Sequence, residues 1–113
     1  MKAINESNAA HYKWGDSCDG WHFLQTNDLA VIKEKMPPHT AERLHYHEKA
    51  RQFFFILSGE AVFEIEGKRY KAAANEGMHI EPKAKHKIIN ESGSDLKFIV
   101  ISQPESHGDR VNL

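Results

Sequence analysis

The sequence predicts an all-β fold, a sandwich or barrel of short strands, on three grounds. Segments rich in β-branched and aromatic residues recur along the chain: "WHFLQT", "LAVIKEKM", "QFFFILS", "AVFEIE", "RYKAA", "MHIEP", "HKIIN" and "LKFIVIS". Turn-forming residues separate them at Asn27-Asp28, Pro37-Pro38, Ser58-Gly59, Gly67-Lys68, Asn75-Glu76-Gly77 and residues 91–95. Strands so closely spaced leave no room for helical crossovers. The 113 residues suit a single domain with one core.

Residues 1–20 are expected to form an N-terminal arm. Within it "ESNAAHYKW" offers the chain's one short helix, capped by Ser7 or Asn8. Trp14 and Trp21 are expected to cover a sheet edge or a partner's sheet. Residues 29–102 are read as the barrel. In "QFFFILS" side chains alternate between faces, so Gln52, Phe54 and Ile56 share one side while Phe53, Phe55 and Leu57 share the other. Both faces are apolar, which suits a strand lying between the interior and a second sheet or subunit, and points to a homodimer. In "AVFEIE", Ala61, Phe63 and Ile65 form one apolar face. Residues 103–113 are read as a C-terminal tail, with Asp109 and Arg110 in solvent.

Composition excludes several partners. The 15 basic residues balance the 16 acidic ones, so there is no field to draw nucleic acid. No stretch approaches the roughly 20 apolar residues of a membrane helix, and "MKAINESNAAHYKWGD" lacks the apolar run of a signal peptide, so a cytoplasmic protein without membrane attachment is expected. Cys18, the single cysteine, has no cation beside it in sequence and reads as structural. The small molecule is the partner class left.

The conspicuous excess is histidine, with eight in the chain. His45 and His47 stand one residue apart, so on a strand both project to the same side. Gln52 follows at the start of the next apolar segment, and His86 opens "HKIIN" after the loop "EPKAK". Two imidazoles, a third from farther along the chain and an amide oxygen make a donor set for a divalent transition metal, one per chain: nickel, zinc, iron, manganese or copper. The competing reading is that these histidines are structural or lie at the surface.

The stretches "HYHEKARQFFFILSG" and "GMHIEPKAKHKIIN" resemble the two motifs of the cupin superfamily. His45, His47, Gln52 in the usual acidic position, and Gly59 match the first; Gly77, Pro82, His86 and Asn90 match the second. The resemblance implies a small cupin-type β-barrel, or double-stranded jelly roll, with a metal held by His45, His47, Gln52 and His86. The chain departs from the pattern at Gln52, where most cupins carry Glu, and in "EPKAK", which lacks the usual turn glycine. Gln52 can still coordinate, and it leaves the donor shell neutral, so a bound ion keeps its full charge and favours anionic ligands.

The three-His-plus-Gln set is similar to that of single-domain cupins that linearise unsaturated uronates in pectin breakdown. Those carry an acidic residue and an arginine on the last strand; here "LKFIVIS" offers only Ser102. For the general base the candidates are a metal-bound hydroxide and His79 or Glu81, which share a face of "MHIEP"; Arg43 is either an exposed loop arginine or, if the strand begins early enough, the partner of a substrate carboxylate. Two enzyme readings follow, a Lewis-acid isomerase or tautomerase of a small carboxylated or sugar-derived molecule, and an Fe(II) dioxygenase. A non-catalytic ligand-binding or sensor cupin is the alternative of another class.

Overall fold

The computed structural model describes residues 2–106 and 108–113. The described residues form twelve strands: β1 (Ala10–Trp14), β2 (Cys18–Gln25), β3 (Ala30–Met36), β4 (Thr40–Ala41), β5 (His45–His47), β6 (Arg51–Ser58), β7 (Glu60–Ile65), β8 (Lys68–Ala73), β9 (Gly77–Ile80), β10 (His86–Asn90), β11 (Leu96–Gln103) and β12 (Arg110–Asn112). One antiparallel sheet runs β1-β2-β3-β11-β6-β9, and a second runs β12-β5-β10-β7-β8, with β4 also paired to β10. The inward faces of the two sheets make the jelly-roll interior, which is the expected all-β class.

Period-two burial shows how the sequence makes these strands. In β6 Gln52, Phe54 and Ile56 are buried while Phe53, Phe55 and Leu57 are exposed; in β11 Leu96, Phe98, Val100 and Ser102 alternate inward. The apolar centre gathers Phe54, Phe63, Phe98, Ile56, Ile88 and Met36. The rings of Phe54 and Phe63 meet edge-on with centroids 5.2 Å apart. Ala61, Val62 and Phe63 are all buried, so β7 is apolar on both faces at its start. Asn90, wholly buried, donates to the carbonyls of Met36, Pro37 and Ser94 and pins the end of β10.

Two expectations are corrected. The arm forms no helix: Asn5 and Asn8 bond to nearby backbone, the Asn8 amide oxygen accepting from the Asn5 N–H and the Asn5 amide oxygen from the Ser7 N–H. Such local bonds compete with helix formation, and β2 offers residues 10–14 a full set of strand partners. The tail is also not solvated as a whole. Arg110–Asn112 pairs with β5, placing Arg110 opposite His47 and Asn112 opposite His45. The Asp109 carboxylate accepts the backbone N–H groups of Lys49 at 3.1 Å and Ala50 at 3.0 Å, which holds the turn after β5 to the C-terminal segment.

Asp109→Ala removes those two acceptor contacts, each of the order of 1–3 kcal/mol because the acceptor is charged. We expect faster amide hydrogen exchange at Val111 and Asn112 with little change in exchange at Phe63 and Phe98. Exchange measured residue by residue checks this, and unchanged rates at Val111 would contradict it.

Candidate metal centre

The inward alternation that fills the core with apolar side chains continues to one end of the interior, but there the side chains turn polar. On the second sheet His45 and His47 from β5 and His86 from β10 take inward positions, with exposures of 1%, 4% and 1%. His86 sits directly opposite His45 in the register. On the first sheet Gln52 of β6 sits opposite Ser102 of β11. The three imidazoles offer donor atoms that all lie within 4.8 Å of one another. Their ring centroids are 4.3 Å apart for His45 and His86 and 5.0 Å for His45 and His47.

The hydrogen bonds assign the lone pairs. His45 Nδ1 is 2.8 Å from the Arg43 carbonyl and His86 Nδ1 is 2.8 Å from the Ala84 carbonyl. A carbonyl only accepts, so both Nδ1 atoms carry the proton and each Nε2 keeps its lone pair. Burial pushes the histidines toward the neutral form, His45 down to about 3 and His47 to about 4, with His86 also lowered by burial. Gln52 donates through Nε2 to Ser102 Oγ at 3.0 Å, which turns its Oε1 toward His86 Nε2 at 3.2 Å. Two acceptors therefore face each other across that gap, an arrangement that a shared cation relieves. These donors fit a divalent transition metal: they are neutral, buried and convergent, with His45 and His86 fixed in tautomer by backbone carbonyls.

The donors open into a cavity of about 590 Å³ whose lining includes His45, His47 and Gln52 on one side and Tyr12, Glu34 and Arg110 elsewhere. Tyr12 Oη donates to Glu34 Oε2 at 2.6 Å. Burial raises the Glu34 carboxyl to about 8 and the Glu42 carboxyl to about 7. Arg110 reaches Glu42 Oε2 at 3.4 Å and partly offsets its rise. Phe54 and Val100 supply apolar wall, as does Trp14, whose Nε1 donates to the Asp19 carbonyl at 3.1 Å.

A model of the cupin domain matches residues 32–102, more than half of the chain. The chain belongs to the cupin superfamily. An oxalate-binding protein of Thermotoga maritima is 33% identical to this cupin over 67 residues, covering 59% of this chain and 55% of that protein. The matched segment spans about half the length of the curated relatives. The crystal structure of a predicted oxalate decarboxylase from Thermotoga maritima superposes with a TM-score of 0.84 at 23% identity, over 92% of this chain and 100% of that one. KdgF from Halomonas sp. gives a TM-score of 0.84 at 15% identity, over 95% and 98%. At those identities the two structures speak for the fold.

The weighed bases lie elsewhere in the cupin. His79 and Glu81 are exposed on the first sheet's edge, 3.6 Å from each other, and neither lines the cavity with the histidines. His79 sits on the outward face of β9, whose inward positions are Met78 and Ile80, and Glu81 follows the strand's end. Arg43 precedes the strand, which begins only at His45; its side chain is exposed and donates to the Leu113 carbonyl at 3.3 Å. Its carbonyl holds His45, so the residue serves the site through its backbone. Two acids and an arginine do reach the cavity, but from β3, the link after β4, and β12, not from the last barrel strand. Glu34 was legible: Ile32, Glu34 and Met36 alternate on one face of "LAVIKEKM", an acid among apolar residues. Arg110 left no comparable signal.

The two sets of shifts act oppositely on stability. The histidines, lowered in the fold, stabilise the metal-free chain fully above 6.5 and lose that contribution as pH falls toward 4 and 3. The carboxyls, raised in the fold, stabilise it fully below 4.5 and lose that contribution as pH rises through about 7 and about 8. Stability of metal-free protein is therefore expected to peak between 4.5 and 6.5 and to fall on both sides. Urea midpoints across that range check it; a monotonic rise to pH 9 would contradict the carboxyl assignment.

Proposed function

We propose that this cupin binds one divalent transition metal through His45, His47, Gln52 and His86, and isomerises or tautomerises a small carboxylated or sugar-derived molecule there. The observation that carries the reading is the convergence of the buried His45, His47 and His86 donor atoms within 4.8 Å of one another, with the Gln52 amide beside them, at a cavity that His45, His47 and Gln52 line. Nickel, zinc, iron, manganese and copper all suit such donors. When bound, the ion would supply Lewis acidity toward a carbonyl or hydroxyl oxygen.

The chain's own residues do the rest. A neutral donor shell leaves the ion's charge uncompensated, and Arg110 adds a further positive charge at the cavity, while Glu34 is held largely protonated at neutral pH. The cavity thus favours anions. Arg110, whose guanidinium bonds Asn112 Oδ1, Glu42 Oε2 and the Arg43 carbonyl, would turn its planar fork from these to a carboxylate, the part expected of Arg43. Phe54, Val100 and Trp14 exclude water around the bound molecule, which strengthens these attractions. The relative described as oxalate-binding supports a small carboxylate as ligand, and the resemblance to uronate-linearising cupins supports movement of a proton between neighbouring carbons.

Elemental analysis of protein purified without added metal is expected to find about one transition-metal ion per chain, and far less in a His45→Ala/His86→Ala double variant. Equal metal in both would return the histidines to a structural role. With metal loaded, oxalate serves as the probe ligand: Arg110→Ala should weaken its calorimetric dissociation constant by about tenfold or more while metal content stays unchanged.

A homodimer belongs to the same reading. Phe53, Phe55 and Leu57 are 42%, 36% and 39% exposed along the outward face of β6, a row of large apolar side chains that a second copy would cover. Sedimentation equilibrium should show a dimer that Phe53→Ser/Leu57→Ser converts to monomer; a monomeric parent contradicts it.

A further inference from the structure

The first three strands carry a feature that the sheet needs a glycine to make. Tyr12 of β1 is in register with Gly20 of β2, and Gly20 is in register with Glu34 of β3. Strands two apart lie roughly 9–10 Å from each other, so side chains in such a row ordinarily touch only the middle strand. Here the phenol lies over Gly20 and reaches the far strand: a Cβ on Gly20 would overlap the Tyr12 ring and hydroxyl. The result is the 2.6 Å hydrogen bond from Tyr12 Oη to Glu34 Oε2, at the wall of the cavity that His45, His47 and Gln52 also line.

We propose that Glu34 is the proton-transfer group of this cavity and that Tyr12, laid across Gly20, is the residue that positions it. The inference rests on the metal-and-carboxylate reading for what holds the substrate. The lysines beside Glu34 in sequence are spoken for on the outside of the sheet: Lys33 pairs with Glu6 and Lys35 with Asp95. The titratable and charged groups facing Glu34 are Tyr12 from β1, Glu42 from the link after β4 and Arg110 from β12, while the His22 ring of β2 lies 4.9 Å from that of Tyr12. A carboxyl kept only for structure gains little in such a place, since burial costs it more than one hydroxyl returns. Burial raises its pKa, the Tyr12 hydrogen bond opposes the rise, and the balance leaves Glu34 able to give and take a proton near neutral pH. Tyr12 occupies Oε2, so Oε1 is the atom that exchanges.

The step balances within substrate and side chain. The Glu34 carboxylate takes a proton from the carbon beside a carbonyl; the C–H electron pair becomes the enolate double bond and the carbonyl π pair moves to oxygen. The carboxyl then returns the proton to carbon, at the same or the neighbouring position.

The test uses zinc-loaded protein and pyruvate, the smallest 2-keto acid, in deuterium oxide, following loss of the methyl proton signal. The parent is expected to exchange these protons faster than free zinc does. Glu34→Gln should slow exchange by about 100-fold or more, and Tyr12→Phe and Gly20→Ala each by about tenfold. Zinc content and oxalate affinity should stay within about twofold in all three, because the donors and Arg110 are untouched. Carbon-13 titration of labelled glutamate gives a readout apart from turnover: the Glu34 midpoint should move up in Tyr12→Phe, which removes a bond favouring the carboxylate. Glu34→Gln exchanging at the parent rate overturns the proposal, as does a parent that binds zinc and oxalate yet exchanges no faster than free zinc. A parent that takes up no zinc sinks the metal reading instead, and the Glu34 midpoint then decides alone: unmoved by Tyr12→Phe, it overturns the positioning role.

Discussion

Keeping three imidazoles neutral and aimed at one point inside a closed sheet is the constraint on which the site depends. Buried histidine resists a proton, so the cluster avoids its own mutual repulsion, but a neutral ring can still sit in either of two tautomers. The backbone makes that choice for two of the three. His45 and His86 each donate Nδ1–H to the carbonyl two residues earlier, Arg43 and Ala84, so the local strand geometry that sets each side chain inward also fixes which nitrogen faces the interior. Ser102 does the corresponding service for Gln52 by taking its NH₂ group. Orientation is thus settled by groups that do not need to touch a ligand, which is what allows donors to be held ready without charge.

From that constraint the division of the interior follows. An all-neutral shell draws no counter-charge of its own, and so the balancing charge must come from what binds. The rest of the cavity lining is consistent with this: its acids, Glu34 and Glu42, are pushed toward the protonated form, and Arg110, on the strand paired with that of His47, supplies a cation. Had the wall carried two ionised carboxylates, the same cavity would repel a carboxylated ligand. Apolar residues in the same lining, Phe54 and Val100, lower the dielectric, and these charge preferences are felt more strongly than they would be in water.

The fold and the inward placing of His45, His47, Gln52 and His86 were readable from the sequence because both are written in short-range patterns. Alternation in "QFFFILS" and "HKIIN" tells which side chains point inward, and a polar residue at an inward place, as Gln52 and His86 are, stands out against its neighbours. The cupin likeness adds that these distant stretches meet. What was not readable depends on pairing between segments far apart. The sequence "RVN" has no strand signature of its own; it becomes β12 because β5 leaves a free edge beside it. The arm's helical appearance loses to β2 for the same reason. Tyr12 and Glu34, 22 residues apart, meet only because Gly20 lies between them in the assembled sheet.

That dependence on pairing places precision and fragility on one element. β5 has only three residues, and two of them are donors. Its neighbour β10 fixes it at the His86–His45 pair alone, and its other neighbour, β12, is three exposed residues near the end of the chain. A strand so short gains little from its own ladder, so the positions of His45 and His47 are set by what flanks them: the Arg43 carbonyl, the turn capped by Asp109, and β12. Local opening is easiest where few apolar contacts oppose it, and the C-terminal strand is such a place. Arg110, which faces the cavity, rides on that same strand, so any loosening there disturbs ligand charge and donor geometry together. The site is therefore coupled to the chain's C-terminal residues more tightly than their exposure suggests, through backbone pairing rather than through burial.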